Sequence, residues 1–138
     1  MDDNTRLLQQ TDVTMRWGDM DAVGHLNNAV YFTYMEQVRM EFYERIGGGS
    51  TGAGQGPVIA NAACEFLREI RYPAALKVSM FGGPPGRSSF QSLYEIRDRA
   101  DGDILYATGS ARVVWVDYQA ARSIELPAVL RAELPAPP

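Results

Sequence analysis

The sequence predicts an α+β domain in which one long helix packs against an antiparallel sheet. Two observations predict this class. Apolar residues recur at helical spacing through residues 28–46, and four long strand-like segments then follow one another between residues 57 and 116. The turns between those segments are too short for the crossover connections that parallel strands require. Because a lone apolar helix must bury its face against another layer, a curved sheet wrapped around the helix is the simplest arrangement.

Length and composition limit the kind of protein. The 138 residues, 46% hydrophobic and 22% charged, fit one globular domain over residues 1–138, with residues 1–10 and 127–138 expected at its periphery. A net charge of −4 argues against a nucleic-acid partner. No apolar run approaches the roughly 20 residues of a membrane span, and the N-terminus has no secretory core. Cys64 is the one cysteine, which excludes an internal disulfide and a multi-cysteine zinc site. A cytoplasmic protein without a membrane partner is expected.

The first predicted elements are a short strand and the helix. Residues 11–17 alternate, so Val13, Met15 and Trp17 are expected on one face of a strand. The helix is predicted from Asn28, as N-cap, to Ile46, with Gly47 ending it. An i,i+4 pair between Glu41 and Arg45 is expected on it. Its apolar face carries residues spaced four and three apart, namely Tyr31, Met35, Val38, Phe42 and Ile46.

A glycine-rich loop and the strands of the sheet are predicted next. The loop covers residues 47–56, and the strands cover residues 57–71, 75–82, 88–98 and 103–116. Pro73, the segment 82–86 and Asp101-Gly102 separate them. Residues 117–138 read as a loop with a helical turn near 127–133. Val113 and Trp115 are expected on the outer sheet face, where a second copy of the chain would cover them.

Chemically useful side chains are concentrated between residues 17 and 28. This stretch holds Asp19, Asp21, His25, Asn27 and Asn28, and it directly precedes the helix N-terminus. Free backbone N–H groups and the helix dipole at that point would stabilise an oxygen that becomes negative. A carboxylate a few residues upstream could act as general base or as nucleophile. The combination suits attack on an acyl carbonyl.

These residues also carry a resemblance to a known family. The run RWGDMDAVGHLNNAVY at 16–31, followed by YMEQVR at 34–39, resembles the 4-hydroxybenzoyl-CoA thioesterase family of hot-dog-fold enzymes. The similarity continues through CEFLR at 64–68, GRSSF at 86–90 and VWVD at 114–117, and covers roughly residues 10–126.

The resemblance implies a hot-dog fold, in which a five-stranded antiparallel sheet wraps a central helix. It also implies hydrolysis of acyl-CoA at the interface of a homodimer, often paired into a homotetramer. The family's catalytic carboxylate falls on Asp21, and the backbone N–H near Asn28 would polarise the thioester carbonyl. The turn holding Arg87, Ser88 and Ser89 lies where family members contact the CoA phosphates, often from the neighbouring subunit. No metal or other cofactor is implied, since CoA enters as part of the substrate.

Two other functions remain open at this stage. The stretch also resembles part of the acyl-carrier-protein thioesterase signature, with Asp21 and His25 in the matching positions, although Val23 replaces an expected asparagine. A non-catalytic acyl-CoA-binding module would use the same fold, and the presence of Asp21 argues against it.

Several residues have a structural interpretation beside the functional one. Asp19 is expected to hold Arg16 or a turn N–H. Asn27 and Asn28 are expected to fix the loop and cap the helix, and they are also candidate catalytic residues, one of which would orient water or the carbonyl. His25 is a further candidate catalytic residue, beside its interpretation as a hydrogen-bonded structural residue. On the helix, Glu36 is expected in a buried ion pair with Arg39. Cys64 reads as a small core residue, because no base adjoins it in the sequence.

Overall fold

The structure, a computed structural model, describes residues 4–47 and 54–137. A nine-residue strand opens the described chain, and a single 3-10 turn at Trp17–Asp19 follows it. In chain order, the strands and helices are β1 Arg6–Thr14, α1 Val30–Arg45, β2 Gln55–Phe66, β3 Ala75–Gly82, β4 Ser89–Asp98, β5 Leu105–Asp117, β6 Arg122–Ser123 and α2 Ala128–Arg131.

The strands form one antiparallel sheet in the order β1-β3-β4-β5-β2, and the two-residue β6 pairs with the end of β5. Helix α1 packs across one face of this sheet. The predicted architecture, a long helix against an antiparallel sheet, is confirmed. β1 and β2 are the two edge strands, so each leaves one row of backbone hydrogen-bonding groups without a partner strand among the described residues.

The core lies between α1 and the inner face of the sheet. Val38 and Phe42 are fully buried and meet inward-facing residues of the central strands, including Val78, Ile96 and Val113. The expectation that Val113 and Trp115 lie on the outer face is wrong. Trp115 packs edge-on against Tyr43 of α1, with 5.9 Å between ring centroids. Strand alternation places Val113 and Trp115 together on the helix side, which the sequence pattern alone does not distinguish from the other side.

Two strand boundaries differ from the prediction. β1 begins at Arg6 and ends at Thr14, and Trp17 is not part of it but is 71% exposed in the 3-10 turn. Two hydrogen bonds hold this turn. The backbone N–H of Asp19 donates to Arg16 O, and the Asp19 carboxylate accepts the backbone N–H of Arg16. β2 ends at Phe66 rather than near residue 71, and the backbone N–H groups of Leu67 and Arg68 both donate to Tyr106 O.

The terminal segments are integral to the fold, so the expectation that they are peripheral is wrong. Leu8 of β1 is buried, and so is the apolar side of the C-terminal segment, comprising Leu126, Leu130 and Leu134. A side chain on Gly82 would collide with Leu8 and Leu134, which occupy the space above it. The C-terminal segment therefore covers the core next to Gly82, at the end of β3.

The ends of α1 match the prediction in part. Gly47 adopts a φ of +71° and ends the helix as expected. At the start, Asn28 does not cap the helix as predicted, because the N-cap is Ala29 and it has no side-chain cap hydrogen bond. Asn27 instead holds the turn before the helix, where its Oδ1 accepts the N–H of Ala29 at 3.0 Å. The Glu41–Arg45 pair is absent. Glu41 accepts from Thr11 and Gln37, while Arg45 bonds to Gln9, Leu8 O and Glu133. Most of the predicted glycine-rich loop, residues 48–53, lies outside the described residues. No helix in the described ranges is both long and apolar enough to cross a membrane.

Candidate active site

The residues from Asp19 to Asn27 form a short hairpin-like loop directly before α1. Within it the N–H of Asp21 donates to His25 O at 2.7 Å, and a β-bridge joins Met20 to Leu26. At its base the N–H of Asn27 donates to Asp19 O at 2.9 Å. Gly24 makes the reversal with a φ of +84°, a conformation that glycine adopts at little cost. The fold thereby holds Asp21 and His25 side by side at the end of the loop.

Asp19 anchors this loop to α1. Its side chain is 2% exposed and accepts hydrogen bonds from the Tyr34 hydroxyl at 2.6 Å, the Arg16 guanidinium at 3.0 Å and the Arg16 N–H at 3.1 Å. Burial by itself would raise the pKa of Asp19, but these three hydrogen bonds outweigh it and hold the pKa below its usual value. The prediction that Asp19 is structural and holds Arg16 is confirmed.

Asp21 has the opposite environment, because its side chain is exposed. Its Oδ1 accepts the backbone N–H groups of Val23 at 2.9 Å and His25 at 3.1 Å, which fixes the orientation of the carboxylate. Its Oδ2 accepts no hydrogen bond from any described residue. One oxygen therefore positions the group, and the other is available to a water molecule or a substrate.

The ring of His25 points to a glutamate that sequence reasoning missed. His25 Nε2 lies 3.1 Å from Glu69 Oε2, and the other oxygen of Glu69 accepts the Arg71 guanidinium at 2.7 Å. That hydrogen bond lowers the pKa of Glu69. A backbone bridge between His25 and Arg71 brings these segments together. Nothing in the local sequence around Glu69 indicates this long-range pairing.

The start of α1 offers a free donor beside the loop. The N–H of Val30 donates to Asn27 O and that of Ala29 to Asn27 Oδ1, whereas the exposed Asn28 N–H has no acceptor within residues 4–47 and 54–137. The helix dipole adds a partial positive charge at this point. A substrate oxygen atom next to Asn28 could therefore accept a hydrogen bond from the Asn28 N–H group.

Two aromatic residues pack together near the start of α1. The Tyr31 ring packs edge-on against Phe66 of β2, with 4.8 Å between centroids. Burial of its hydroxyl raises the pKa of Tyr31. Burial also raises the pKa of the Cys64 thiol to about 11. A thiol with that pKa stays protonated near neutral pH, which agrees with Cys64 as a packing residue rather than a nucleophile.

Comparison with known proteins places this loop and fold in one group. A family model described as the thioesterase-like superfamily matches residues 15–134, which include the loop, α1 and all strands after β1. The chain belongs to this superfamily. It is 34% identical to the PA2801 protein of Pseudomonas aeruginosa, named as a candidate thioesterase, over 92% of this chain and 98% of that one, with a TM-score of 0.88.

Two further solved structures extend the similarity of this thioesterase-like chain. A Xanthomonas campestris protein named as a candidate acyl-CoA thioesterase is 30% identical, covering 88% of this chain and 100% of its own, with a TM-score of 0.79. The DHNA-CoA thioesterase of Staphylococcus aureus is 22% identical, covering 85% of this chain and 79% of its own, with a TM-score of 0.77. The predicted hot-dog fold is thereby confirmed.

The other predicted binding residues of this thioesterase-like chain lie far from Asp21. Arg87, Ser88 and Ser89 precede or begin β4, at the end of the sheet where Ser89 pairs with Val114 of β5. The Asp21 loop adjoins residues 70–74, at the opposite end. The ten residues of β4 separate the two ends by about 30 Å. One chain does not bring Arg87 and Asp21 into the same site.

The expected ion pair on the helix of the thioesterase-like fold is also absent. Glu36 is exposed, and no described acidic side chain lies within ion-pair distance of Arg39. Arg39 is buried instead and donates to the hydroxyl of Tyr94 on β4 at 3.0 Å. The side chain of Arg39 crosses the core, whereas that of Glu36 stays at the surface of α1.

Proposed function

We propose that this protein hydrolyses acyl-CoA thioesters at the Asp21 loop. The observation that carries the proposal is the carboxylate of Asp21, held through Oδ1 and open at Oδ2, a few residues before the unpaired N–H of Asn28. A thioester carbonyl oxygen that accepts the Asn28 N–H would place its carbon within reach of a water molecule bound to Asp21. The names of the Xanthomonas and Staphylococcus proteins support a CoA thioester as substrate.

In the proposed reaction, side chains and backbone groups of the Asp21 loop carry the individual steps, and CoA enters as part of the substrate. Asp21 accepts a proton from water while the water oxygen bonds to the carbonyl carbon, and negative charge builds up on the oxygen held by Asn28. Collapse of this intermediate breaks the C–S bond, and the departing CoA thiolate takes up the proton. In the alternative route Asp21 attacks the carbon itself, and the C–S bond breaks to release the CoA thiolate. Water then hydrolyses the resulting anhydride, which restores the Asp21 carboxylate and supplies the proton that the thiolate takes up. His25, held by Glu69, and Asn27, which accepts the N–H of Ala29, keep the loop in place for either route.

A second copy of the chain would complete the site. Two copies paired antiparallel through their β2 edges are related by a two-fold axis, which reverses the direction of the strands. Arg87, Ser88 and Ser89 lie at one end of the sheet, and the Asp21 loop lies at the other. In such a dimer, the Arg87 end of one copy lies beside the Asp21 end of the other copy. Arginine binds phosphate in a bidentate manner, so Arg87 suits the CoA phosphates. A homodimer, or a homotetramer built from two dimers, is therefore the proposed assembly.

A carrier-protein substrate is the second candidate, favoured by arginines around the loop. The side chains of Arg16 and Arg71 are 81% and 73% exposed, and Arg68 lies in the same region. Such side chains could contact an acidic protein that delivers a phosphopantetheine-linked acyl group. Turnover of acyl-carrier-protein thioesters at least tenfold faster than acyl-CoA would favour this candidate.

The test is thiol release from a panel of acyl-CoAs by the wild type and by Asp21→Asn. Asp21→Asn is expected to lower kcat by about 100-fold or more, the usual effect of losing a general base, because an amide cannot accept the proton. KM should change little. Asp103→Asn is the matched control, since Asp103 is an exposed turn residue, and its activity should equal that of the wild type. Unchanged kcat in Asp21→Asn would contradict the assigned role, and a folded wild type that binds acyl-CoA without turnover would indicate a binding module.

A further inference from the structure

Arg39 is a buried cation without a counter-ion. It is 9% exposed, and none of the ion pairs in the described part of the chain includes it. Its Nη1 donates to the Tyr94 hydroxyl, which donates to Ser92 Oγ at 2.7 Å, and that hydroxyl donates to Ala111 O at 2.8 Å. The chain of hydrogen bonds thus ends on a neutral backbone carbonyl. Burying an unpaired charge costs several kcal/mol. An anion bound next to Arg39 would offset this cost.

The unused donors of Arg39 have a suitable arrangement for one kind of anion. With Nη1 engaged by Tyr94, the Nε and Nη2 groups make no hydrogen bond to any described residue. These two N–H groups are parallel and match the two oxygens of a carboxylate. Beside them, the hydroxyl of Tyr43 is the one buried side-chain polar atom without a hydrogen-bond partner in the described residues. Tyr43 is 3% exposed, so bulk water does not satisfy its hydroxyl.

Two cavities lie against α1 in this region. One, of about 350 Å³, is lined mainly by apolar side chains that include Phe32, Met35 and Ile59. The other, of about 220 Å³, is lined by Tyr43, Met40 and Ile59 among others. Arg39 lines both. Apolar walls with a few fixed polar groups are typical of small-molecule sites.

The cavities lie further along α1 than the Asp21 loop, and no residue of that loop lines them. Tyr31 lies at the candidate site, Met35 one turn further on packs over Gly109, and Arg39 follows after another turn. The eight residues from Tyr31 to Arg39 correspond to about 12 Å along the helix. β2 faces this strip of α1 with Phe66, then Ala62, then Ile59. An acyl chain whose carbonyl lies at Asn28 would reach Arg39 only by extending along this strip between α1 and β2.

We propose that Arg39, assisted by the Tyr43 hydroxyl, selects acyl groups of medium length that end in a carboxylate. The inference rests on the proposed thioesterase function and names its substrate class. Glu36 lines both cavities at their rim and opposes an anionic tail, although its exposure to water weakens that repulsion. The carboxylate would neutralise Arg39 and accept the unpaired hydrogen bond of Tyr43.

The experiment compares kcat/KM for pairs of acyl-CoAs of equal chain length, one ending in a methyl group and one in a carboxylate. Across the medium lengths the wild type should prefer the carboxylate-ended ester at least about tenfold, as expected for charge-assisted hydrogen bonds. Arg39→Met, which keeps the side-chain bulk and removes the charge, should reverse this preference. Arg112→Met is the matched control, because Arg112 is exposed on β5, and its preference should equal that of the wild type.

Two further variants keep the test decisive if Arg39→Met does not fold. Tyr43→Phe removes only the hydroxyl and should lower the preference severalfold, whereas Glu36→Gln removes the opposing charge and should raise it. Equal turnover of both esters by the wild type would overturn the proposal while leaving the thioesterase function intact. No turnover of either ester would instead overturn the proposed function. If Glu36→Gln weakens self-association without changing the preference, the partner of Arg39 is Glu36 of a second copy and the proposal is wrong.

Discussion

Asp19 shows how a single residue can fix the position of the candidate catalytic loop. The two aspartates of the motif are separated by one residue, yet Asp19 is sealed against Tyr34 and Arg16 while Asp21 is open to solvent. A buried carboxylate with three hydrogen bonds is stable only as an anion, and removing its partners leaves an uncompensated charge. Asp19 therefore stabilises the geometry that Asp21 uses.

The depressed pKa of Asp19 predicts a pH dependence of stability. Because its folded-state pKa lies below the value of about 3.9 in the unfolded chain, the ionised group stabilises the fold above that unfolded pKa. This contribution is lost as the pH falls through the folded-state pKa. Asp19→Asn should lower the free energy of unfolding by about 1–3 kcal/mol at pH 7. Its stability should also decline less than that of the wild type between about pH 4.5 and pH 2.

Urea unfolding at a series of pH values measures this difference. The exposed Asp103→Asn serves as control and should follow the wild-type curve. Parallel curves for Asp19→Asn and the wild type below pH 4 would show that Asp19 does not contribute to acid unfolding.

Residue identities at the candidate site were predictable where the site is local in sequence. Asp21, Asn27 and Asn28 adjoin one another in the chain, so a motif brings them to notice. Glu69 and Arg39 are different, because Glu69 reaches His25 only through a backbone bridge, and Arg39 reaches Tyr94 only across the core. Contacts of that kind depend on which strand pairs with which.

At the scale of the helix, Asn27 but not Asn28 supplies a side-chain oxygen to the backbone before α1, and this predicts unequal effects for the two adjacent asparagines. Asn27→Ala removes the oxygen that accepts the Ala29 N–H and should destabilise the protein by about 1 kcal/mol. Asn28→Ala leaves that bond and should change the free energy of unfolding by less than about 0.5 kcal/mol. Denaturant unfolding at neutral pH compares the two variants. Equal losses of unfolding free energy in both variants would mean that Asn27 and Asn28 stabilise the start of the helix to the same extent.

The elements themselves were largely predictable, and the errors have a common cause. The spacing of apolar residues along α1 and the turns before β3 and β5 are local signals. These three elements lie close to where they were expected. The direction in which Val113 and Trp115 point depends on strand register, and the burial of residues 126–134 depends on Leu8 and Gly82 far away in the sequence. Local patterns carry no information about either.

At the scale of the whole molecule, the exposed β2 edge predicts the assembly. Val58 and Ile59 of β2 are each 40% exposed, beside an unpaired strand edge. Val58→Lys places a charge on this edge and should convert a dimer to a monomer and lower kcat/KM for acyl-CoA at least tenfold, because Arg87 of a second copy is then lost. Leu7→Lys is the matched control on the other edge strand, where Leu7 is 48% exposed.

Sedimentation analysis combined with thiol-release kinetics measures both effects. A wild type that sediments as a monomer while hydrolysing acyl-CoA at full rate would contradict the shared site. Dissociation by Leu7→Lys instead of Val58→Lys would place the contact on β1.

The strand order also determines when this chain can fold during its synthesis. β2 is made directly after the helix, but the strand it pairs with, β5, ends at Asp117, and the segment that closes the core around Leu134 comes later still. Until then the growing chain exposes the apolar face of α1 and both edges of β2, which is the condition under which nascent proteins aggregate or bind chaperones. A ribosome halted before residue 105 would therefore hold a chain with its helix and most of its sheet in sequence, yet sensitive to protease throughout.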